Sequence, residues 1–409
     1  MHASAIFIIV VFACLAVTHP FEQQALENTG SGQGISASSA FRPFRNNEPS
    51  AHTGFVAFGD SYSAGIGTGV DGEENDCRQG IHAHAQLIAA DRRPTAFQFL
   101  SCTGATTANV MSGGEESQID RFNRSLPADF ALLSIGGNDL GFFDVMNACV
   151  FRFYNFYSGT CETALTHARA NLESNEFEIR LRILIMEILD KIRWEKNPRF
   201  TVTVTGYARF FNELTDGCDD MSFGVWWDGP RLTKKLRAKM NALVLTVNAK
   251  LRKTINAINA DFTNDKVMFV DYDNAFDGHR FCELNVTEPD YERADTWFFL
   301  VGGSDNARNG TQPRRLSDIK TLSPTSTLVD PSSCLEPARR TGDWGMLALC
   351  YMVMAKHHDP TLRPARGDMV ALNGMWYVPT YYGKTFHPRS LGHETIRNQI
   401  YKKWHSLDG

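Results

Sequence analysis

Short runs of apolar and β-branched residues recur along the chain, and several of them end directly in small or polar residues. Five runs predict buried strands, at residues 55–58, 97–100, 130–135, 200–205 and 267–271. Longer segments between the runs carry apolar residues three and four positions apart, which is the period of an amphipathic helix. This second pattern is clearest at residues 236–258, and helices are also predicted near 81–90, 177–194 and 390–404.

Strands that alternate with helices favour a parallel sheet covered by helices on both faces. Right-handed crossovers bring the carboxyl ends of successive strands to one edge, where open α/β sheets bind their ligands. We therefore predict an α/β fold with three layers, α/β/α, and a functional site at that edge.

The first predicted strand runs into Gly59, Asp60 and Ser61. Glycine permits a tight turn here, so Ser61 is expected to lie exposed at the carboxyl end of the strand. Later loops can supply a base and an oxyanion pocket at that place. Asp and Ser are also ordinary turn and helix-cap residues, so the tripeptide alone does not establish a catalytic serine.

Three further blocks follow in order. Residues 101–107 come after the second predicted strand, residues 136–139 after the third, and residues 386–393 near the C-terminus. Together with Ser61 they resemble the SGNH (GDSL-type) esterase and lipase family, which is named for its Ser, Gly, Asn and His. The resemblance extends from Phe55 to about Trp404, and it implies a flavodoxin-like SGNH hydrolase fold.

The resemblance also implies roles for single residues. Ser61 is the expected nucleophile, and His387 is the expected base because the family's base directly precedes a proline. Gly104 and Asn138 are expected to form the oxyanion hole together with the backbone N–H of Ser61. Gly104 is otherwise an ordinary turn residue and Asn138 a helix cap; we take Asp139 as the cap and Asn138 as the donor.

The third triad position departs from the family pattern. Members usually carry Asp three residues before the histidine, whereas this chain has Lys384, which cannot accept the imidazole N–H. Some secreted members lack this Asp and use a backbone carbonyl instead. We therefore predict a Ser–His dyad oriented by main-chain oxygen near Gly383 or Lys384, with Asp271 or Asp368 as the alternative.

Three polar residues close in sequence to Ser61 or His387 are interpreted as structural. Asp60 is expected to brace the nucleophile loop through backbone N–H groups, and Tyr62 to form pocket wall or packing. His393 lies roughly one and a half turns further along the last helix than His387 and is also interpreted as structural.

The composition allows a large core but gives no sign of a nucleic-acid surface. The chain has 409 residues, 43% of them hydrophobic, and a net charge of −5 from 41 basic and 46 acidic residues. That length fits one large domain or two. Because no long basic run occurs, no nucleic-acid partner is expected.

The N-terminus predicts secretion. Residues 1–18 are interpreted as a signal peptide, although the segment lacks Lys and Arg, and residues 19–52 as a flexible linker or pro-segment. Residues 53–409 then form the hydrolase domain. No other stretch is apolar for long enough to span a membrane. We expect a secreted, extracellular monomer without a transmembrane segment.

Cysteine usage agrees with that compartment. Nine cysteines include Cys14 in the predicted signal peptide, so eight remain, and an even number in a secreted chain favours disulfides. Many connectivities are possible, and we favour pairing of cysteines that are neighbours in the sequence. The pairs are then Cys77–Cys102, Cys149–Cys161, Cys218–Cys282 and Cys334–Cys350. The first three of these pairs resemble the disulfides of bacterial secreted SGNH lipases.

Two further features bear on processing and specificity. Asn123, Asn285 and Asn309 begin glycosylation sequons that suit a glycoprotein, although such tripeptides are common by chance. Residues 282–366 form a long insertion that compact SGNH members lack, and we expect an ordered excursion or lid near the active edge.

The sequence therefore predicts a carboxylic-ester hydrolase that works through an acyl-serine intermediate without metal or cofactor. Two substrate classes remain open for this hydrolase: lipid or phospholipid esters, and acetylated or feruloylated polysaccharide. The alternative outside this class is a catalytically silent binding protein on the same scaffold. A serine peptidase is a weaker rival, since the motif order does not favour it.

Overall fold

The computed structural model describes residues 53–69, 75–114, 117–151, 160–223, 230–291, 293–300, 303–307 and 380–406. The predicted signal peptide and linker lie outside the described residues, as do Asp368, Cys334, Cys350 and the sequon at Asn309. All five predicted strands and the four predicted helices fall within the described part of the chain.

The core of the domain is a parallel sheet of five strands in the order β2-β1-β3-β4-β5. The central strands are buried on both faces, which explains why they read as continuous apolar runs. The second strand lies on one side of β1 and the third on the other, so the strand order reverses between β1 and β3. A ligand crevice is expected at the carboxyl ends of these two strands. The strands are β1 Gly54–Gly59, β2 Ala96–Phe99, β3 Phe130–Ser134, β4 Thr201–Thr205 and β5 Val267–Val270.

Helices cover both faces of the sheet and complete the predicted three-layer α/β/α fold. One layer contains α2 and α10, which contact each other, and the other contains α7 together with α3, α4, α6 and α8. The helices are α1 Ser61–Ala64, α2 His84–Arg92, α3 Thr107–Val110, α4 Gln118–Arg121, α5 Phe142–Met146, α6 Cys161–Glu173, α7 Glu176–Ile192, α8 Lys234–Asn259, α9 Thr380–Gly383 and α10 Ser390–His405.

The helices differ from the predictions, and the short helices α1, α3, α4 and α9 were not predicted. Helix α2 begins at His84, three residues later than predicted, and α6 was not predicted at all. The predicted cap at Asp139 is wrong. Helix α5 begins only at Phe142, because Gly141 adopts a left-handed conformation, with φ of +77°, directly before it.

Three disulfides join the predicted neighbours, Cys77–Cys102, Cys149–Cys161 and Cys218–Cys282. The first links the loop after α1 to the block of residues 101–107 that follows β2. Over the ranges described above, no helix has both the length and the apolar character needed to cross a bilayer.

Candidate active site

Ser61 lies at the carboxyl end of β1, where it begins α1. The turn before it requires a glycine, because a β carbon on Gly59 would lie 2.1 Å from the carbonyl oxygen of Ser134 on β3. The side-chain amide of Gln118 exchanges two hydrogen bonds of 2.8 Å with the backbone of Gly59. Contrary to the prediction, Ser61 is not exposed: only 4% of it is accessible, because it lies within a cavity.

His387 contacts Ser61 directly, although 326 residues separate them: Nε2 lies 2.7 Å from the serine Oγ. The other ring nitrogen, Nδ1, lies 3.2 Å from the main-chain oxygen of Thr385. Since that oxygen can only accept, Nδ1 carries the proton and Nε2 is left as the acceptor for the serine hydroxyl.

A main-chain oxygen contacts the ring, and it belongs to Thr385, the residue directly after Lys384. The nearest carbonyl belongs to Thr385, whereas that of Lys384 accepts the backbone N–H of His387 at 2.9 Å. The alternative acid Asp271 binds Arg252, with 2.6 Å between its Oδ2 and the guanidinium Nη2, and also contacts Asn248.

The environment of His387 keeps its ring neutral. Burial lowers the pKa of His387 to about 4, while the carbonyl groups of Thr385 and Lys384 act in the opposite direction because they favour the protonated ring. A neutral imidazole is the form that can accept a proton from Ser61.

The residues just before His387 are fixed by packing. The Nζ of Lys384 lies 4.7 Å from the centre of the Phe299 ring, so the position usually held by Asp carries a cation on an aromatic face. Phe386 has a φ of +63°, which is strained for a bulky residue. Its carbonyl accepts the Tyr62 hydroxyl at 2.7 Å, and its N–H donates to the Phe299 carbonyl at 2.8 Å.

The start of α10, just after His387, is capped by the described part of the predicted insertion. Asp305 accepts the Ser390 N–H at 2.9 Å and the Gly69 N–H at 2.8 Å, and the Asn306 side chain accepts the Leu391 N–H at 3.0 Å. Asp305 therefore links the nucleophile segment to the histidine segment.

Asn138 and Gly104 come from the loops after β3 and β2. The amide nitrogen of Asn138 donates to the carbonyl of Ala105 at 2.9 Å, which links the two loops. Gly104 has a φ of +87°, a conformation that favours glycine. Asp139 accepts the N–H and the hydroxyl of Thr107, so it caps α3 instead of the helix that follows it.

Asp60 braces the nucleophile loop, as predicted. Its Oδ1 accepts the Tyr62 N–H at 3.0 Å, and its Oδ2 accepts the Tyr207 hydroxyl at 2.9 Å. Burial raises the pKa of Asp60 to about 7, although both hydrogen bonds oppose this shift. Tyr207 was missed in the sequence; its position just after β4, at the same sheet edge as Ser61, was the available signal.

His393 contacts His84 behind the site. The two rings are stacked with 5.6 Å between their centres, and His393 Nδ1 accepts the backbone N–H of His84 at 3.2 Å. This contact agrees with a structural role for His393.

A cavity that opens to solvent contains the site. Among the described residues that line it are Ser61, Asn138 and His387; Gly104 is not one of them. From these polar groups the cavity extends between α5, α6 and α8. The side chains of these three helices that line it are all apolar: Phe142, Phe143, Val145, Met146, Ala168, Leu172, Met240, Leu243, Val244 and Val247.

A family model described as the GDSL-like Lipase/Acylhydrolase family matches residues 57–282, more than half of the 409 residues. The chain belongs to this family. The matched span includes Ser61, Gly104 and Asn138 and ends before His387. The resemblance inferred from the four blocks is thereby confirmed at the level of the family.

Two curated lipases are similar to this GDSL-family chain. Lipase 1 of Streptomyces coelicolor is 35% identical over 165 residues, which span 40% of this chain and 56% of that lipase. A lipase of Streptomyces rimosus is 30% identical over 231 residues, which span 56% of this chain and 74% of that lipase. The chain thus spans little more than half the length of the first relative.

Two solved structures are also similar. Phospholipase A1 from Streptomyces albidoflavus NA297 has 28% identity and a TM-score of 0.46, over 64% of this chain and 90% of that chain. The extracellular lipase from Streptomyces rimosus has 30% identity and a TM-score of 0.44, over 56% of this chain and 84% of that chain.

Proposed function

We propose that this protein is a secreted carboxylic-ester hydrolase that acts on lipid esters through an acyl-serine intermediate. The observation that carries the proposal is the 2.7 Å contact between Ser61 Oγ and His387 Nε2 at the carboxyl edge of the sheet. A serine hydroxyl is a weak nucleophile until an adjacent base takes its proton, and this contact supplies the base.

The reaction then proceeds in two halves. Ser61 Oγ attacks the ester carbonyl while its proton passes to His387 Nε2, which returns it to the departing alcohol. His387 next takes a proton from water, and the water oxygen attacks the acyl-serine carbonyl. The bond to Ser61 Oγ then breaks to release the acid, and His387 returns its proton to the serine oxygen. The carbonyl of Thr385 holds Nδ1–H throughout and favours the imidazolium that forms twice in each cycle.

The tetrahedral intermediates need donors for their oxyanion. Ser61 is the first residue of α1, so its N–H has no acceptor within the helix. The amide of Asn138 has two N–H bonds, of which Ala105 takes one, so a second is left for the oxyanion. We assign the third donor, the N–H of Gly104, from the family resemblance.

The cavity wall favours a lipid acyl chain over a sugar. Helices α5, α6 and α8 offer it only apolar side chains among the described residues that line it. Burial of a hydrocarbon chain against such a wall is favourable by roughly 0.8 kcal/mol for each methylene. Sugar hydroxyls buried there would lose their hydrogen bonds to water without replacement.

Secretion is supported by the covalent structure. The three disulfides are typical of proteins that fold in an oxidising compartment. The apolar N-terminal segment, residues 1–18, is the proposed signal for export.

A panel of esters tests the proposal: nitrophenyl esters of short and long acids, phosphatidylcholine and acetylated xylan, each with wild type and Ser61→Ala. We expect hydrolysis of the long-chain esters that disappears in the variant. Activity on acetylated xylan alone would favour the carbohydrate esterase. Folded protein without activity on any ester would favour the silent binding protein.

A further inference from the structure

The hydroxyl of Tyr207 has no part in the chemistry described above, yet it joins the two sides of the site. It donates to Asp60 Oδ2 at 2.9 Å and accepts the N–H of Gly137 at 3.1 Å. Asp60 directly precedes the proposed nucleophile, and Gly137 directly precedes Asn138. One hydroxyl therefore connects the loop that carries Ser61 to the loop that carries the proposed amide donor.

Tyr207 is itself held rigidly. The side chain of Asn248, which is 2% exposed on α8, accepts the backbone N–H of Tyr207 at 2.9 Å and donates to its carbonyl at 2.8 Å. The ring packs edge-on against Tyr62, with 5.0 Å between the ring centres. With its backbone and its ring both fixed, the hydroxyl has little freedom to follow movements of either loop.

The contact favours an ionised Asp60. Its two oxygens accept the N–H of Tyr62 and the hydroxyl of Tyr207, and a proton on Oδ2 would have to compete with that hydroxyl. The ionisable groups that face Asp60 are Tyr62, Tyr207, Tyr272 and Asp139. The charge of Asp139 raises the pKa of Asp60 in the same direction as burial. The hydrogen bonds from the Tyr207 hydroxyl and from the backbone of Tyr62 and Ser63 favour the ionised form.

We propose that Tyr207 is a positioning residue for this reaction: through ionised Asp60 and the N–H of Gly137, its hydroxyl fixes Ser61 and Asn138 relative to each other. The inference rests on the proposed ester hydrolysis. It gives a role to the segment directly after β4, which supplies none of the groups that react with the ester.

Tyr207→Phe is the direct test, because it keeps the ring and deletes only the hydroxyl. We expect kcat on a long-chain ester to fall about tenfold to a hundredfold, with KM changed less than about twofold. The acid limb of the kcat/KM profile should also move to higher pH, because Asp60 loses a hydrogen bond that favours its ionised form. A packing role would not move this limb.

The matched control is Tyr401→Phe. Tyr401 also donates its hydroxyl to a carboxylate, Asp91, at 3.0 Å, but does so on the last helix at the surface. The control should leave both kcat and the acid limb unchanged.

A double-mutant cycle with Asp60→Asn shows whether Tyr207 acts through Asp60. In the Asp60→Asn background, Tyr207→Phe should lower kcat little further. If the fall in kcat of the double variant equals the product of the two single falls, the proposed connection is overturned. If Tyr207→Phe does not fold, Asp60→Asn decides alone. It should lower kcat and remove the part of the acid limb that depends on Asp60, and an unchanged rate and profile would overturn the inference.

Ser61→Ala separates this inference from the function on which it rests. Activity that persists in Ser61→Ala contradicts the proposed function itself. An inactive Ser61→Ala beside a Tyr207→Phe enzyme with wild-type kcat and pH profile contradicts only the positioning role.

Discussion

The imidazole of His387 is held by the main-chain oxygen of Thr385, 3.2 Å from Nδ1, where the family usually supplies a carboxylate. A carbonyl dipole orients the ring and fixes its tautomer, but it stabilises the imidazolium less than a full negative charge would. The ring's neutral form is further favoured by burial, which lowers its pKa to about 4.

Lys384→Ala tests whether the lysine takes part. Its ammonium lies over the ring of Phe299, so we expect loss of about 0.5 to 1 kcal/mol of stability and a kcat within about threefold of wild type. His387→Ala, as the positive control, should reduce kcat by about a thousandfold or more. A large fall in kcat for folded Lys384→Ala would contradict orientation by the carbonyl alone.

Asn138→Ala should lower kcat about a hundredfold or more, because it removes one of the proposed donors to the oxyanion, while the protein stays folded. Asn197→Ala is the matched control, since the Asn197 amide likewise donates to an alanine carbonyl, that of Ala128, at 3.1 Å. The control should change stability by about 1 kcal/mol and leave kcat unaltered. Equal effects of the two variants on kcat would argue against Asn138 as a donor.

Ala168→Leu should shift the acyl preference towards shorter chains, because Ala168 lines the apolar part of the cavity and a larger side chain would occupy it. Competition between nitrophenyl esters of different length measures the shift as a ratio of kcat/KM values. Ala170→Leu, an exposed substitution on the same helix, should leave the ratio as in wild type. If Ala168→Leu leaves the preference for acyl length unchanged, the acyl chain of the substrate binds elsewhere.

The His84–His393 pair should make the domain sensitive to acid. Burial lowers the pKa of His84 to about 4 from its ordinary 6.5, and it also lowers that of His393. Between these pH values the unfolded state binds a proton at the histidine and the folded state does not. The contribution to the free energy of unfolding is therefore fully present above pH 6.5 and is lost as the pH falls towards 4. For His84 alone the loss is roughly 3 kcal/mol.

Chemical unfolding at pH 7.5 and pH 4.5 measures this effect. His84→Gln should lose less unfolding free energy between the two values than wild type does. The exposed His405→Gln serves as control and should behave like wild type. An identical pH dependence in all three proteins would show that the buried pair does not carry the effect.

The strands and the pairing of Ser61 with His387 could be predicted from the sequence for different reasons. Buried parallel strands are continuous apolar runs, so β1 and β3 were recognisable without any tertiary information. Ser61 and His387 were found through their motifs, and the 2.7 Å contact agrees with that pairing. Helix α6 was missed because its buried face includes small residues such as Ala164 and Ala168, which weaken the apolar period.

Contacts between distant segments were not predictable in the same way. Asp139 looked like a local cap, but its carboxylate binds Thr107, 32 residues away. Tyr207 and Asp305 have ordinary sequence surroundings, and their importance depends on which loops the fold brings beside them. Only the assembled sheet edge shows that each of them links two segments of the site.

The most direct test of the account is covalent labelling of the nucleophile with a long-chain fluorophosphonate, followed by peptide mass spectrometry. We predict a single adduct on Ser61, formed as hydrolytic activity is lost, and no adduct in Ser61→Ala. An adduct on another residue, or labelling and hydrolysis that persist in Ser61→Ala, would contradict the acyl-serine mechanism.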